Sequence, residues 1–209
     1  MDVYEENLST WNQLAEAYED KFMRLDLYHD TYIAFCELLI DNAHVLELGS
    51  GPGNISRFLL DSRPDLNLLA TDVAPNMVKA IKKNCPEATT MVLDVRDLDK
   101  LEKTFDAVVC GFILPYILHE DLASFFGALS RVCRSGAALY LSFVNGNPKK
   151  SNYQTGSTSL RVYFNYHSIT QIKKLLNEHH FKIHRQYKVA YSKSSNRVEW
   201  HQIMLSIKV

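Results

Sequence analysis

Cysteine is scarce and scattered. The four cysteines among 209 residues, Cys36, Cys85, Cys110 and Cys133, form neither a C-x-x-C pair nor a Cys/His cluster of zinc-site spacing. This argues against a disulfide framework and a metal site, and the thiols read as reduced and buried. An excess of charge is missing too: 23 basic residues against 24 acidic ones leave a net charge of −1 and a pI near 6.7. No overall field draws such a chain to nucleic acid or to an anionic membrane. The pairs Lys82-Lys83, Lys149-Lys150 and Lys173-Lys174 stand apart from one another and read as solvated faces. No apolar run reaches the roughly 20 residues of a membrane span. The opening stretch is acidic and amphipathic and lacks the basic-then-apolar order of a secretory leader. The expectation is a cytoplasmic protein, bound to neither membrane nor nucleic acid, with a small-molecule partner.

What is present is the composition of one globular domain, 46% hydrophobic and 22% charged. Trp11, Leu14, Ala15, Tyr18 and Phe22 recur at helical spacing, with Ser9 or Thr10 as the expected cap, and a second helix is expected over Asp30 to Leu39. From Val45 the texture changes. Short apolar runs at 44–48, 67–71, 89–93, 105–110 and 137–144 alternate with helical patterns near 55–61, 75–84 and 121–133. Such alternation predicts a parallel sheet covered on both faces, with right-handed crossovers. A further helix is expected over 168–179. Two extended segments, 181–191 and 198–209, should follow, joined by a hairpin turn in the polar run 192–197. The stretch 145–159, rich in Asn, Gly, Ser and Thr, reads as a mobile connection.

The most informative segment runs from Val45 to Ile55, an apolar strand that enters three alternate glycines, Gly49, Gly51 and Gly53, and then a helix. Glycine lets backbone turn sharply and approach a ligand, although strand-to-helix turns also use it for packing alone. The dinucleotide pattern G-x-G-x-x-G is not matched, because position 54 is Asn. Asp72 ends the next apolar run, 23 residues after Gly49. A carboxylate there can accept hydrogen bonds from both hydroxyls of a ribose, or it can cap a helix.

Glu47-x-Gly49-x-Gly51-x-Gly53, then Asp72, then Asp94-Val95 after the third strand, resembles the cofactor motifs of class I S-adenosylmethionine-dependent methyltransferases. The resemblance extends from about Trp11 to the C-terminus and is most specific between Val45 and Tyr116. It implies a three-layer α/β sandwich with a Rossmann-like, mostly parallel sheet of seven strands, the last pair containing one antiparallel strand. It further implies a helical lid over 1–42 on a cofactor-binding core over 43–209, which together form one domain.

By the same likeness the 49–53 loop passes under the methionine part of S-adenosylmethionine, Asp72 holds the ribose, and Val73 and Met77 sandwich the adenine. Asp94 accepts the adenine amino group and the Val95 N–H bonds a ring nitrogen. Cys110 and Gly111 supply backbone beside the methyl group, and Tyr18, Tyr28 and Tyr32 belong to the lid. Gly136 closes a helix before the fifth strand. The acidic or amide residue and double proline of nucleic-acid amino-methylating relatives are missing, since Ile113 and Leu114 stand there. A small-molecule acceptor is therefore expected, with S-adenosylhomocysteine as product. If the acceptor must lose a proton, the candidate bases are His119 first, then Tyr28, His29 and Tyr116. Two other readings compete: a SAM-binding regulatory protein without turnover, and a nicotinamide-dependent oxidoreductase.

Overall fold

The computed structural model describes residues 2–156, 159–194 and 197–209. Its first helix, α1 (Val3–Gln13), begins at a capping box: Asp2 accepts from the Glu5 N–H while the Glu5 side chain accepts from the Asp2 N–H. The start thus lies well before the expected Ser9 or Thr10. A break at Leu14 separates α1 from α2 (Ala15–Phe22), so the periodicity from Trp11 to Phe22 spans two helices. Next comes α3 (His29–Cys36), which buries Tyr32 and Phe35 against the sheet.

The alternating section follows as β1 (His44–Leu48), α4 (Asn54–Ser62), β2 (Asn67–Asp72), α5 (Pro75–Asn84), β3 (Thr89–Val92), β4 (Phe105–Gly111), α6 (Leu122–Val132) and β5 (Cys133–Val144). A small hairpin, β6 (Asn152–Thr155) and β7 (Arg161–Phe164), precedes α7 (Ile169–Glu178), β8 (Phe181–Ser194) and β9 (Arg197–Lys208). The seven-stranded sheet has the order β3-β2-β1-β4-β5-β9-β8. Its first five strands are parallel, and β9 runs antiparallel to both β5 and β8. This is the expected Rossmann-like sandwich with its antiparallel closing strand.

Strand alternation divides the core into two layers. Leu46, Leu48, Val108 and Leu139 face α6 and α7, whereas Val45, Val109, Tyr140 and Ile203 face α3 and α4. Among the described residues no helix is long and apolar enough to cross a membrane. All four cysteines are free, and three are buried.

The structure revises two local expectations. Gly136 does not close α6, which ends at Val132; it lies inside β5 with φ of +83°, near a register shift against β4. The 145–159 stretch contains a 3-10 turn (Pro148–Lys150) and β6, which pairs in register with β7 from Asn152–Phe164 to Thr155–Arg161. The polar side chains Asn152, Gln154 and Thr155 hide this strand from an apolar-alternation reading. Residues 157–158 of that stretch, and residues 195–196 of the expected β8–β9 turn, lie outside the described residues.

Candidate active site

The C-terminal ends of β1, β2, β3 and β4 converge on one cavity of about 200 Å³. Its floor is the glycine loop. Gly49 takes φ of +64°, and a Cβ there would stand 2.2 Å from Ile113 Cγ2, so both conformation and space demand glycine. Gly51 is also left-handed and faces the Tyr18 ring across the opening. Gly53 does not reach the cavity: it initiates α4 and packs against Ile81, which a Cβ would meet at 2.7 Å.

Asp72 ends β2 with its side chain buried. Its two carboxylate oxygens accept from the N–H groups of Gly51 and Ala74, each at 2.9 Å. Burial raises its pKa, and these backbone donors work in the opposite direction. The carboxylate therefore couples the glycine loop to the start of α5 while lining the cavity, with lone pairs to spare for two hydroxyl donors. Val73 and Met77 line the same space.

At the end of β3, Asp94 lines the cavity beside Val95. Burial disfavours its charge, but the Arg96 guanidinium, 2.6 Å away, and the Arg96 N–H, at 2.9 Å, hold the carboxyl below its ordinary range. Arg96 in turn lies 3.8 Å over the Tyr4 ring of α1. Sequence reasoning did not single out Arg96 or Tyr4.

Helix α1 covers this cavity through side chains that an isolated helix would leave in water. Asn7 exchanges two hydrogen bonds with the Tyr163 backbone, at 2.7 and 3.1 Å, and Thr10 donates to the Arg161 carbonyl at 2.8 Å. Asn12 holds Asn76 at the start of α5. The β6–β7 hairpin thus anchors α1. The lid residues named from sequence divide: Tyr18 lines the cavity, whereas Tyr28 and Tyr32 lie deeper, in the α3 layer.

Two further residues expected at the cofactor lie behind it. Glu47 is 1% exposed and accepts a hydrogen bond from Ser56 of α4. Desolvation pushes its pKa up to about 8, against the Ser56 bond and helped by the nearby Asp72 charge. Cys110 is fully buried, so of that pair only Gly111 lines the cavity.

A second, larger cavity of about 410 Å³ adjoins the first, and the two share Trp11, Tyr18, Phe112 and Tyr116. Tyr28 lines it and bonds His201 Nδ1 at 2.7 Å. His201 escaped sequence reasoning, although a histidine two residues before Ile203 and four before Leu205, on the same face of β9, was a visible break in an apolar pattern. His119 lines neither cavity; its Nε2 is 3.3 Å from Ser151 Oγ, and its ring packs on His167. His29 packs against Phe58 with tilted rings, outside both cavities, while Tyr116 stands in the shared wall.

A cavity at the carboxyl edge of the sheet, floored by a glycine loop and flanked by Asp72 and Asp94, resembles the nucleotide-binding arrangement expected from the sequence motifs. Residues 45–136 match the family model described as "Methyltransferase domain". The chain is 23% identical over 181 residues to "Putative methyltransferase 235L" of Invertebrate iridescent virus 6, covering 81% of this chain and 67% of the viral one. It is 29% identical over 97 residues to a trans-aconitate 2-methyltransferase of Methylobacterium nodulans, covering 46% of this chain and 36% of the other. Its fold matches the Burkholderia thailandensis 1,6-didemethyltoxoflavin-N1-methyltransferase, solved with 1,6-didemethyltoxoflavin and S-adenosylhomocysteine bound, with a TM-score of 0.75 at 15% identity over 100% of this chain and 91% of that one. Residues 45–136 thus match a methyltransferase domain, and the chain shares its fold with a methyltransferase solved with S-adenosylhomocysteine bound.

Proposed function

We propose that this protein transfers the methyl group of S-adenosylmethionine to a small molecule seated in the larger cavity. The observation that carries the reading is the pair of adjoining cavities, one lined by the nucleotide motifs and the other by aromatic side chains, with a common wall of Trp11, Tyr18, Phe112 and Tyr116. The lining fits the cofactor: Gly51 leaves open the space that a side chain would restrict, and the buried Asp72 carboxylate suits ribose hydroxyls. Gly49 and Gly51 would border the methionine part, Val73 and Met77 would face the adenine, and Asp94 with the Val95 N–H would read its edge.

The sulfonium supplies an activated methyl group, so the protein's task is to align an acceptor in line with it and exclude water. The aromatic wall serves both ends, since ring faces favour a cationic sulfur and stack on a planar acceptor. Among the described residues no Lys/Arg stripe borders the larger cavity, where Lys21 is the one Lys or Arg in the lining, and this favours a small acceptor over a nucleic acid. The test is to incubate the protein with methyl-labelled S-adenosylmethionine and a cell extract divided by size. Label in the small-molecule fraction is expected; label confined to protein or nucleic acid would contradict the reading.

A further inference from the structure

At the Asp94 end of the smaller cavity a cationic side chain ties the sheet edge to α1. Arg96, in the 3-10 turn after β3 (Val95–Lys100), lines the cavity and is held from two sides. Its backbone N–H donates to Asp94 Oδ1 at 2.9 Å, its Nη2 donates to Oδ2 at 2.6 Å, and its Nε lies 3.0 Å from both oxygens. On the other side its guanidinium lies 3.8 Å from the centre of the Tyr4 ring of α1. That ring is fixed in turn: Tyr4 Oη donates to the Asp121 carboxylate and accepts from the Leu118 N–H at 3.0 Å.

An ion pair between exposed side chains is normally loose and contributes little. Here the forked contact and the ring restrict the guanidinium from both sides, and a held fork orients the carboxylate it grips. A carboxylate has about four acceptor positions, and the three Arg96 donors fill most of them. Room remains for one further donor, and Asp94 lines the cavity. A 6-amino purine offers an N–H to that position, whereas a 6-oxo purine offers a carbonyl oxygen, which an ionised carboxylate repels.

We infer that Arg96, braced on Tyr4, is a positioning residue that aims the Asp94 carboxylate at the purine of the cofactor and makes the cavity prefer a 6-amino base over a 6-oxo base. The inference rests on the methyltransferase reading proposed above, and it assigns Arg96 no contact with the reacting atoms. Charge is the second part of the role. Burial works against an ionised Asp94, and Arg96 overcomes it, helped by the charge of Lys100. Lys100 is itself paired with Asp97 at 2.8 Å, and the other charged or titratable groups around the pair are Asp2, Tyr4, Glu5, Asp121 and, across the cavity, Asp72. No second cation stands ready to replace the guanidinium among these groups. Without it Asp94 should take up a proton on mild acidification, and a protonated carboxyl can donate to a 6-oxo group.

The test is calorimetric titration of the full chain at pH 8 and pH 5 with S-adenosylhomocysteine and with S-inosylhomocysteine, its 6-oxo counterpart. Wild type should prefer S-adenosylhomocysteine at least about tenfold, the value of roughly one well-made hydrogen bond, and by the same factor at both pH values. Arg96→Met, which keeps an apolar stem but loses the fork, should reduce that preference by about threefold or more at pH 8 and further at pH 5. Arg96→Lys should also lower the preference but leave it independent of pH, because the charge persists. Tyr4→Leu, which removes the platform and neither partner, should lower it less than Arg96→Met. Taking the ratio of the two affinities at each pH cancels effects common to both ligands, such as titration of Asp72 or a general loosening of α1. Thermal unfolding verifies the fold of each variant, and any one that folds is decisive. An unchanged ratio, an equal loss for both ligands, or equal binding of the two by wild type would overturn the inference. So would tighter binding of S-adenosylhomocysteine by Arg96→Met, the result expected if Arg96 competed with the base for Asp94. Failure of wild type to bind S-adenosylhomocysteine would instead refute the methyltransferase reading beneath it.

Discussion

The two cavities share a wall but are assembled in different ways. The smaller one is made chiefly where four parallel strands end, by backbone turns and by residues within a few positions of each strand's last residue. The larger one gathers side chains from α2, α3, the β6–β7 hairpin and the β8–β9 pair, segments far apart in sequence. A site built from backbone turns is constrained in residue type at fixed spacing, whereas one built from converging side chains tolerates many solutions. On the function proposed, the same chain would carry a cofactor site of recurrent pattern beside an acceptor site of its own.

The largest effect expected from breaking this arrangement comes at the glycine loop. Gly49→Ala adds a Cβ in a left-handed position against Ile113 and should cost roughly 2–4 kcal/mol in chemical denaturation, together with loss of S-adenosylhomocysteine binding. A stable variant with intact binding would show that the loop is not the constrained floor described. Asp72→Ala removes a carboxylate that lines the cofactor cavity and holds two backbone N–H groups. It should weaken S-adenosylhomocysteine by about 1.5–3 kcal/mol in calorimetry.

Behind the same loop, Glu47 provides a prediction about stability and pH. Burial lifts its carboxyl from the ordinary 4.5 to about 8 in the folded state, so the folded state retains a proton that the unfolded state releases. This contribution is fully present below about 4.5 and is lost as pH rises to about 8, with a slope approaching roughly −1.4 kcal/mol per pH unit. His167, fully buried and lowered by desolvation to about 4, acts with the opposite sign: its contribution is present above 6.5 and lost as pH falls toward 4. Urea midpoints of Glu47→Gln measured between pH 7 and 8, above the His167 window, should show a flatter decline than wild type. An identical decline would remove Glu47 as the source.

The smallest expected effect sharpens the contrast between the cavities. His201→Phe should change S-adenosylhomocysteine affinity by less than about 0.5 kcal/mol, because His201 lines only the larger cavity. A large loss would mean that the two spaces do not act as separate sites.

This contrast also explains what was legible in the sequence. The apolar runs and helical patterns placed the elements of the parallel sheet to within a few residues, because strands covered on both faces must be continuously apolar. Gly49, Gly51 and Asp72 stood out by position, Val73, Met77, Asp94 and Val95 were named through the family resemblance, and all seven are brought together in one cavity. Glu47, Gly53 and Cys110 belong to the same stretches but support the loop and strands from behind. The β6–β7 hairpin escaped notice because its pairing uses backbone while its side chains are largely polar, and the polar face of α1 conceals the bonds Asn7 and Thr10 make to it. Arg96, Glu199 and His201 meet their partners only through tertiary structure, and linear spacing carries no mark of such contacts.

The central claim is that the glycine loop and Asp72 hold a sulfur nucleoside. Its most direct test is calorimetric titration of the wild-type protein with S-adenosylmethionine, S-adenosylhomocysteine and NAD. Saturable binding of the two sulfur nucleosides, with none of NAD, is the predicted result. Binding of NAD alone would contradict the assignment of the cavity and the function proposed from it.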